Sequence, residues 1–403
     1  MNDFGRLVVV GGGPVGVVTA LAAAQRGFPV TLIEAEDEVD ENPRAATFHP
    51  STIEMVATLG FTDDFIASGL VSRYFDYWDK PTLTLAARMD HEVLKADTPY
   101  PFVVQTEQHK LVRLALSRLA AMDNVDLFTG WSAESVTQDA DGVTVTAARG
   151  GEQAVVAGAW AVGADGARST VRKLIGIEFE GYTWPEQFLV ITSKNDYAGI
   201  IGCSYRSYFA DPGDWVNLFK VAGNDMTGQW RTVFASQEGQ SEGQALGDES
   251  VHRHLRPLLG GQDPQVIHKK VYNVHQRVAA SFRRGRVFLA GDAAHANNPI
   301  GGLGLNCGVH DAMELVDSLE AVARGEAGED VLDRYERRRR QLNIEFVQRQ
   351  TVDNKRRLEE KDPAARRRRL DDLAAVAADP VRAREFLRRT SLLESVRRAA
   401  AMA

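Results

Sequence analysis

The sequence predicts an α/β fold in which a Rossmann-like domain is interrupted by a mainly antiparallel sheet domain and followed by C-terminal helices. Three observations predict it. A β-branched run, a glycine turn and an Ala-rich stretch open the chain, as in a βαβ unit. Aromatic and β-branched runs between turn signals fill residues 184–275, as in antiparallel sheets. From about residue 304 onward the apolar periodicity is helical.

Composition and charge exclude several classes of protein. The chain has 403 residues, 44% hydrophobic and 25% charged, so it can bury the cores of two to three domains and is not disordered. Its formal charge of -8 does not favour a nucleic acid as the main ligand. Cys203 and Cys307 are too few for a disulfide framework, so we expect reduced thiols. We recognise no signal or membrane-spanning segment and expect a cytoplasmic protein.

The first βαβ unit carries a glycine motif. Strands are predicted over 7–10 and 30–33, with a helix over 14–26 between them. The pattern G-x-G-x-x-G is formed by Gly11, Gly13, Pro14, Val15 and Gly16, and Glu34 follows at the end of the second strand. Such glycines admit a pyrophosphate to the helix N-terminus, and Glu34 would accept hydrogen bonds from ribose hydroxyls. The motif predicts a dinucleotide without distinguishing FAD from NAD.

The elements that follow are predicted from periodicity and turn signals. A helix is expected over 106–122, a hairpin over 125–147 around Asp141-Gly142, and a strand over 160–164. Further strands are expected within 202–209, 215–221, 230–235 and 286–290. The Gln-, Glu-, Ser- and Gly-rich stretch 236–250 is interpreted as a loop.

Two later segments narrow the choice of cofactor. Gly163-Ala164-Asp165-Gly166-Ala167-Arg168 and Gly291-Asp292-Ala293-Ala294-His295 each follow a predicted strand, and the second leads into Pro299-Ile300-Gly301-Gly302-Leu303-Gly304-Leu305-Asn306. With the glycine motif, these three fingerprints occur in order over about three hundred residues. The sequence here resembles the single-component FAD monooxygenases of the para-hydroxybenzoate hydroxylase type.

The resemblance implies a Rossmann-like FAD-binding domain, an inserted mainly antiparallel β-sheet substrate domain and C-terminal helices. It implies tightly but non-covalently bound FAD, contacted by residues at matching positions: Gly11, Gly13, Pro14, Val15, Gly16, Glu34, Arg44, Gln108, Asp165, Asp292, Pro299, Gly304, Leu305 and Asn306. In that family the residue matching Asp292 binds the ribityl chain. For Asp165, direct cofactor contact and helix capping are both left open.

The stretch from Gly301 to Asn306 has a physical logic of its own. Glycines let the backbone pass close to a flat ring, and a helix beginning near Gly304 would direct its free N–H groups at the flavin edge that becomes negative on reduction. Leu305 and Asn306 would donate from the main chain.

The resemblance also implies a reaction. NADH or NADPH, bound only transiently, reduces FAD; O2 then forms a flavin C4a-hydroperoxide that hydroxylates an electron-rich ring. The implied substrate is a small activated aromatic, a phenol or a hydroxy-N-heteroaromatic, whose hydroxyl calls for a base or a proton relay.

The residues that bind the substrate are less clear from the sequence. Tyr205, Arg206 and Tyr208 are candidates because alternation places Arg206 and Tyr208 on one strand face and Tyr205 on the other. Arg206 with Tyr208 would suit an anionic substrate, and Tyr205 alone would suit a neutral one. Ordinary half-buried strand residues would show the same pattern. His49 and His295 lie near the expected flavin, where either could relay protons, but both are interpreted as mainly structural. No His, Cys or carboxylate group has metal-ligand spacing, and we predict no metal site.

The expected domains are discontinuous. Residues 1–71, 103–183 and 276–345 would form the FAD-binding domain, 72–102 and 184–275 the substrate-binding sheet domain, and 346–403 a C-terminal helical segment. Residues 355–403 carry 14 basic and 8 acidic side chains, which we interpret as solvated helix faces that brace the domains or form a homodimer contact rather than a membrane contact.

Alternative functions remain at this point. They are a hydroxylase of quinone precursors at the membrane surface and a FAD-binding redox protein without oxygenase chemistry. A flavin halogenase is disfavoured because its Trp-x-Trp-x-Ile-Pro segment is not found.

Overall fold

The computed structural model describes residues 4–237 and 239–402. Its strands are β1 Leu7–Val10, β2 Val30–Glu34, β3 Thr47–Phe48, β4 Leu70–Ser72, β5 Tyr74–Asp79, β6 Thr84–Asp90, β7 Val103–Gln105, β8 Val125–Thr129, β9 Ser132–Gln138, β10 Val143–Arg149, β11 Glu152–Gly158, β12 Trp160–Gly163, β13 Phe179–Ser193, β14 Arg206–Ala210, β15 Val216–Val221, β16 Gln229–Ala235, β17 Val266–Ala279, β18 Arg283–Arg284, β19 Val287–Leu289 and β20 His295–Ala296.

The helices are α1 Pro14–Gln25, α2 Pro50–Ala57, α3 Thr62–Ala67, α4 Gln108–Leu119, α5 Thr170–Leu174, α6 Tyr197–Ile201, α7 Glu242–Ala245, α8 Asp248–Leu255, α9 Gly304–Ala323, α10 Asp330–Leu342, α11 Arg349–Leu358, α12 Pro363–Ala378, α13 Pro380–Thr390 and α14 Leu393–Ala401. Three 3-10 turns lie at His91–Leu94, Arg256–Leu259 and Gly291–Ala293, and a π-helical stretch, Asn343–Gln348, joins α10 to α11.

A six-stranded sheet in the order β18-β19-β12-β1-β2-β8 organises the first core. The strands β19, β12, β1, β2 and β8 run parallel. All four residues of β1 are buried, as expected for the centre of a parallel sheet covered on both faces. The apolar sides of α1 and α9 join this core. Its strands come from residues 7 to 289, so the parallel sheet is assembled from distant parts of the chain.

Two sequence expectations were wrong here. The hairpin predicted over 125–147 is shorter, because β8 pairs in parallel with β2 and only β9 and β10 form the hairpin. A parallel edge strand half exposed to solvent alternates like a hairpin strand, so the pattern could not separate the two. The predicted loop 236–250, of which residue 238 lies outside the described residues, contains α7 and the first turn of α8. Helix α7 begins at a capping box between Ser241 and Gln244. That Ser-x-x-Gln spacing was a readable helix signal.

An eight-stranded sheet in the order β20-β17-β13-β16-β15-β14-β5-β6 forms the second layer. One of its faces packs Trp78, Phe209 and Trp230 against α8. The opposite face packs Phe75 and Tyr208 with residues of the C-terminal helices. The sheet therefore lies between a small helical cover and the C-terminal segment.

The C-terminal helices pack on their own chain. The Asp97 carboxylate, which has no exposed surface, pairs with Arg384 at 2.7 Å, with Arg397 at 2.5 Å and with Arg388 at 3.9 Å. In the run of four arginines of α12, Arg366 pairs with Asp79, Arg367 with Asp371 and Arg369 with Glu360. These contacts account for much of the basic charge as ion pairs within the chain. Within the described residues, no helix combines the length and apolar character needed to cross a membrane.

Candidate active site

One edge of the six-stranded sheet gathers the sequence fingerprints. The parallel strands β1, β2, β12 and β19 all end there, and Gly11, Glu34, Ala164 and Ala290 lie at these ends. In open α/β sheets this carboxyl edge is where nucleotides bind. The fold thus brings residues from four distant positions to one cleft.

The glycine loop before α1 has the close packing that the motif predicts. Gly11 has a φ of 109°, and a side chain there would collide with the backbone of Ala164. A side chain at Gly13, by contrast, would project into open space. No side chain caps the start of α1, so its first N–H groups remain available to an anionic group. The loop fits a pyrophosphate over Gly13.

The Gly291 turn and the start of α9 meet this loop directly. A Cβ at Gly291 would lie 2.7 Å from the Val15 side chain, and one at Gly308 would lie 3.0 Å from the Gly291 Cα. Asp292 follows on the turn, where its side chain is exposed and has no hydrogen-bond partner among the described residues. Crowding by surrounding protein nevertheless raises the pKa of Asp292, opposed by His295 and Arg44. The Asp292 carboxyl is thus open to solvent yet close enough to surrounding protein for its charged form to be disfavoured.

The other predicted contacts line the same edge. The Glu34 carboxylate accepts hydrogen bonds from the backbone N–H groups of Gly12 and, at 2.8 Å, of Glu36. Arg44 is exposed and pairs with Asp40 at 2.8 Å. Gln108 is half-buried at the first position of α4.

Asp165 is engaged within the protein. One of its carboxylate oxygens accepts the N–H groups of Thr170 at 2.7 Å and Val171 at 3.0 Å, and the other accepts the Ser169 hydroxyl at 2.5 Å. Of the two roles left open for Asp165, the structure shows the capping of α5. Asp292, in contrast, makes no capping bond at its 3-10 turn.

The loop 299–306 is built to pass close to a ligand. Gly301 and Gly302 have positive φ values of 124° and 66°, and α9 begins at Gly304, as predicted, without a side-chain cap. The Asn306 side chain fixes the loop, because its amide donates to Thr47 O at 2.8 Å and to Gly302 O, and its oxygen accepts from His49 N at 2.8 Å. Pro299 is exposed and Leu305 half-buried at this opening.

These features fit FAD. The loop before α1 offers backbone donors for the pyrophosphate, Asp292 offers an unengaged acceptor, and the free N–H groups of α9 suit the negative edge of a flavin ring. Gly11, Gly13, Gly16, Asp292 and the loop 299–306 could therefore hold the cofactor.

The eight-stranded sheet presents a polar face next to this loop. Arg206, Phe219 and Arg231 are paired residues on β14, β15 and β16, so they share one face. Arg206 donates to Gly301 O at 3.2 Å and Arg231 to Arg44 O at 3.0 Å. The two arginines thus link the sheet to both sides of the cleft, with the half-buried Phe219 between them.

Several buried polar atoms on this face have no partner among the described residues of the protein. Four of them are buried without a hydrogen bond: Arg206 Nη1, Asn217 Oδ1, Arg231 Nε and Thr192 Oγ1. Because buried polar groups are nearly always paired, these four atoms are available to a polar partner. Sequence analysis selected Arg206 but missed Asn217, Phe219 and Arg231. The alternation of side chains along β15 and β16 could be predicted from the sequence. The register that places these three residues beside Arg206 could not.

The three candidate substrate-binding residues lie on two faces of the sheet, as the alternation of side chains along a strand requires. Tyr208 lies on the Arg206 face, where its ring is 4.8 Å from Phe75 and 5.8 Å from Tyr77. Tyr205 packs instead on the opposite face, 6.1 Å from Trp230. Arg206 is 3% exposed, and its guanidinium lies 4.0 Å from the Phe75 ring centroid. The structure brings Arg206 and Tyr208 together and leaves Tyr205 apart from them.

A buried charged cluster supports the start of α9. The ligand atoms of His295, Cys307 and Asp311 lie within 4.8 Å of one another, although the sequence had predicted no such group. The Arg339 guanidinium donates to Asp311 at 2.7 Å and to Cys307 Sγ at 3.2 Å, so it already supplies the positive charge there. Burial alone would lower the pKa of His295, but Asp311 raises it to about 10. The cluster is an ion-pair network that fixes Gly291 and α9, consistent with a structural His295.

Comparisons with known proteins agree with this geometry. Residues 6–350 match the family model described as FAD binding domain. The chain is 37% identical to para-nitrophenol 4-monooxygenase of Pseudomonas sp. (strain WBC-3), over 96% of this chain and 95% of that protein. It is 33% identical to 6-hydroxy-3-succinoylpyridine 3-monooxygenase HspB of Pseudomonas putida (strain DSM 28022 / S16), over 97% and 98% respectively.

A solved structure gives the same result. The crystal structure of p-nitrophenol 4-monooxygenase PnpA from Pseudomonas putida DLL-E4 matches with a TM-score of 0.89 at 35% identity, covering 96% of this chain and 97% of that one. The α/β fold with its antiparallel sheet domain is therefore confirmed. The chain belongs to the FAD-dependent aromatic monooxygenases, the hydroxylase family that its three fingerprints resemble, and its cofactor is FAD.

Proposed function

We propose that this enzyme hydroxylates a small aromatic ring bearing an ionisable hydroxyl, a phenol or a hydroxypyridine, with O2 and either NADH or NADPH as reductant. The observation that carries the proposal is Arg206. Its side chain is buried on the sheet face that meets the loop 299–306, and its Nη1 has no partner. Among the described residues, no carboxylate lies within 4.0 Å of its guanidinium.

A buried guanidinium without a counter-charge is unfavourable unless a ligand supplies one. An ionised ring hydroxyl is such an anion, and its charge also makes the ring more nucleophilic. Phenols and hydroxypyridines carry this group and are flat enough to lie beside Phe219. The names of para-nitrophenol 4-monooxygenase and 6-hydroxy-3-succinoylpyridine 3-monooxygenase give one substrate of each kind, which supports the class.

The proposal assigns FAD to the cleft at the sheet edge. When bound and reduced, FAD supplies the activation of O2 and the transfer of one oxygen atom to the ring. Gly11, Gly13 and Gly16 would hold its pyrophosphate, with Pro14 and Val15 in the same loop. The ribose and ribityl groups would contact Glu34, Arg44, Gln108 and Asp292, and the ring would contact Pro299, Gly304, Leu305 and Asn306. Asp165 would act indirectly, by holding the turn against Gly11.

Arg206→Gln tests the substrate class. We expect kcat/KM for a hydroxylated aromatic to fall by about 30- to 3,000-fold, since losing a buried partner of a charge costs about 2–5 kcal/mol. The assay follows substrate-dependent NADH and NADPH oxidation and detects the added oxygen in the product by mass spectrometry. Arg256→Gln is the matched control, because Arg256 lies in the same domain, exposed and paired with Asp263.

Two results would contradict the proposal. Unchanged kcat/KM in the Arg206→Gln variant would remove Arg206 from the substrate site. Reduced-cofactor oxidation without any oxygenated product, across a panel of phenols and hydroxypyridines, would instead favour the alternative of a redox protein without oxygenase chemistry.

A further inference from the structure

Two buried side chains share a single backbone acceptor, the carbonyl oxygen of Gly301. His49 Nε2 lies 2.9 Å from it and Arg206 Nη2 lies 3.2 Å from it. A carbonyl only accepts hydrogen bonds, so the neutral His49 ring carries its proton on Nε2. Its other nitrogen, Nδ1, is therefore a lone-pair acceptor. Both Nδ1 of His49 and Nη1 of Arg206 are buried without a partner.

The two side chains meet at one carbonyl, and one carries a free acceptor while the other carries a free donor. A group that both donates and accepts, the hydroxyl of an aromatic ring, would complement the pair. We propose that His49 is the base that removes the proton of the substrate hydroxyl, while Arg206 holds the anion that results. The O–H bond breaks, an N–H bond forms at Nδ1, and the negative charge stays on the ring oxygen beside the guanidinium. The imidazolium keeps its Nε2–H bond to Gly301 O. This inference rests on the proposed function.

The loop that carries Gly301 and the backbone of His49 are fixed relative to each other. Asn306 accepts the His49 N–H at 2.8 Å and donates to Gly302 O. His49 lies directly before α2. Within α2, the Ser51 hydroxyl donates a hydrogen bond to Ser391 O at 2.8 Å. The imidazole is thereby held beside the start of α9, where the flavin ring is assigned.

The electrostatic surroundings keep the His49 imidazole neutral before substrate binds, so its Nδ1 carries a lone pair. Burial lowers its pKa well below the usual value, and Arg206 lowers it further, as do His91 and His310; only the bond to Gly301 raises it. Arg206 lies on β14, His91 lies in the 3-10 turn after β6, and His310 lies on α9. A pKa this low makes the free imidazole a weak base, so proton transfer depends on the substrate itself. Its negative charge beside Arg206 would offset the repulsion that Arg206 exerts on the imidazolium and raise the pKa of His49 in the complex.

Another nearby histidine fits the role less well. His91 Nδ1 donates to Arg73 O at 2.7 Å, which leaves its Nε2 free and buried. However, His91 shares no acceptor with Arg206 and makes no hydrogen bond to the loop 299–306 in the described residues. The shared carbonyl singles out His49.

The variant His49→Gln distinguishes two roles of His49, the proposed role as a base and the structural role as a hydrogen-bond donor to Gly301 O. The glutamine Nε2 can replace the imidazole Nε2 as donor to Gly301 O, but glutamine has no group that accepts a proton. The first readout requires no turnover: the absorption spectrum of a chromophoric phenol bound to the oxidised, FAD-loaded enzyme, at a pH where the free phenol is protonated. We expect the wild-type enzyme to bind it as the phenolate and the variant to bind it as the phenol.

The second readout compares two substrates. For a phenol that is protonated at the assay pH, we expect His49→Gln to lower kcat/KM by about 10²- to 10⁴-fold, the usual contribution of a general base. For a phenol already ionised in solution, the loss should be less than about threefold, and raising the pH should restore activity on the first substrate.

Each alternative outcome is informative. An equal loss on both substrates, with no rescue by pH, would overturn the proposal, since a merely structural His49 would act in that way. If His49→Gln does not bind FAD, the wild-type spectrum alone decides: a phenol bound in its protonated form excludes a base at this site. A failure of the proposed function would look different from a failure of this inference. In that case no hydroxylated product forms, even though the spectrum shows a bound phenolate.

Discussion

Asp311 is the residue whose replacement should most affect the cofactor-binding fold. Its carboxylate is fully buried and takes three donors: Gly291 N at 3.0 Å, His295 Nε2 at 2.7 Å and Arg339 Nε at 2.7 Å. In Asp311→Asn, an NH2 group faces one of these donors and Arg339 is left without its closest counter-charge. Breaking a buried ion pair from one side costs about 3–5 kcal/mol. Out of a typical total of about 5–15 kcal/mol, that is a large share.

Urea unfolding followed by circular dichroism measures this loss, and FAD fluorescence reports release of the cofactor. The control is Asp317→Asn in the same helix, whose side chain is 62% exposed and should cost under about 1 kcal/mol. Adding Arg339→Met to Asp311→Asn should recover part of the loss, because the buried cation is removed as well. A loss below about 1 kcal/mol in Asp311→Asn, with an unchanged urea slope, would refute the assigned role of the cluster.

Two further predictions concern the cofactor and the C-terminal helices. Asp292→Ala should weaken FAD binding by about 10- to 100-fold, the value of one hydrogen bond to a charged group, and unchanged affinity in a fluorescence titration would contradict that contact. Asp97→Asn should make α13 and α14 more sensitive to limited proteolysis. Burial raises the pKa of Asp97, but Arg384 and Arg397 outweigh it and lower the pKa overall. Docking of the helices is therefore complete above the usual aspartate pKa and weakens as pH falls through the lowered value; protection that persists in acid would argue against the ion pairs.

The first βαβ unit was predictable because its signals are local. The β-branched run 7–10 is β1, and the glycine motif followed by Ala-rich sequence gives α1 within a residue or two. The start of α9 at Gly304 was likewise predictable from the glycines before it. In each case the residues that determine the element are the residues that form it.

The parts that escaped sequence analysis depend on distant pairing. Whether 125–129 joins a hairpin or a parallel sheet is decided by β2, almost a hundred residues earlier. The polar face of Arg206, Asn217 and Arg231 exists only because three strands pair in one register. The Asp311 cluster needs Arg339 and His295 from separate elements. Periodicity predicts each strand or helix but contains no information about its neighbours.

In the six-stranded sheet, neighbouring strands come from distant parts of the sequence, and this has a consequence for folding during synthesis. β1 leaves the ribosome first, but its neighbour β12 follows 150 residues later, and β19 and α9 complete the cleft only after about residue 304 has been made. Domains fold as they emerge, and parallel pairings that span long loops form slowly. Until those elements have been made, the apolar strand β1 lacks its full cover. The complete FAD cleft therefore exists only after α9 has been synthesised.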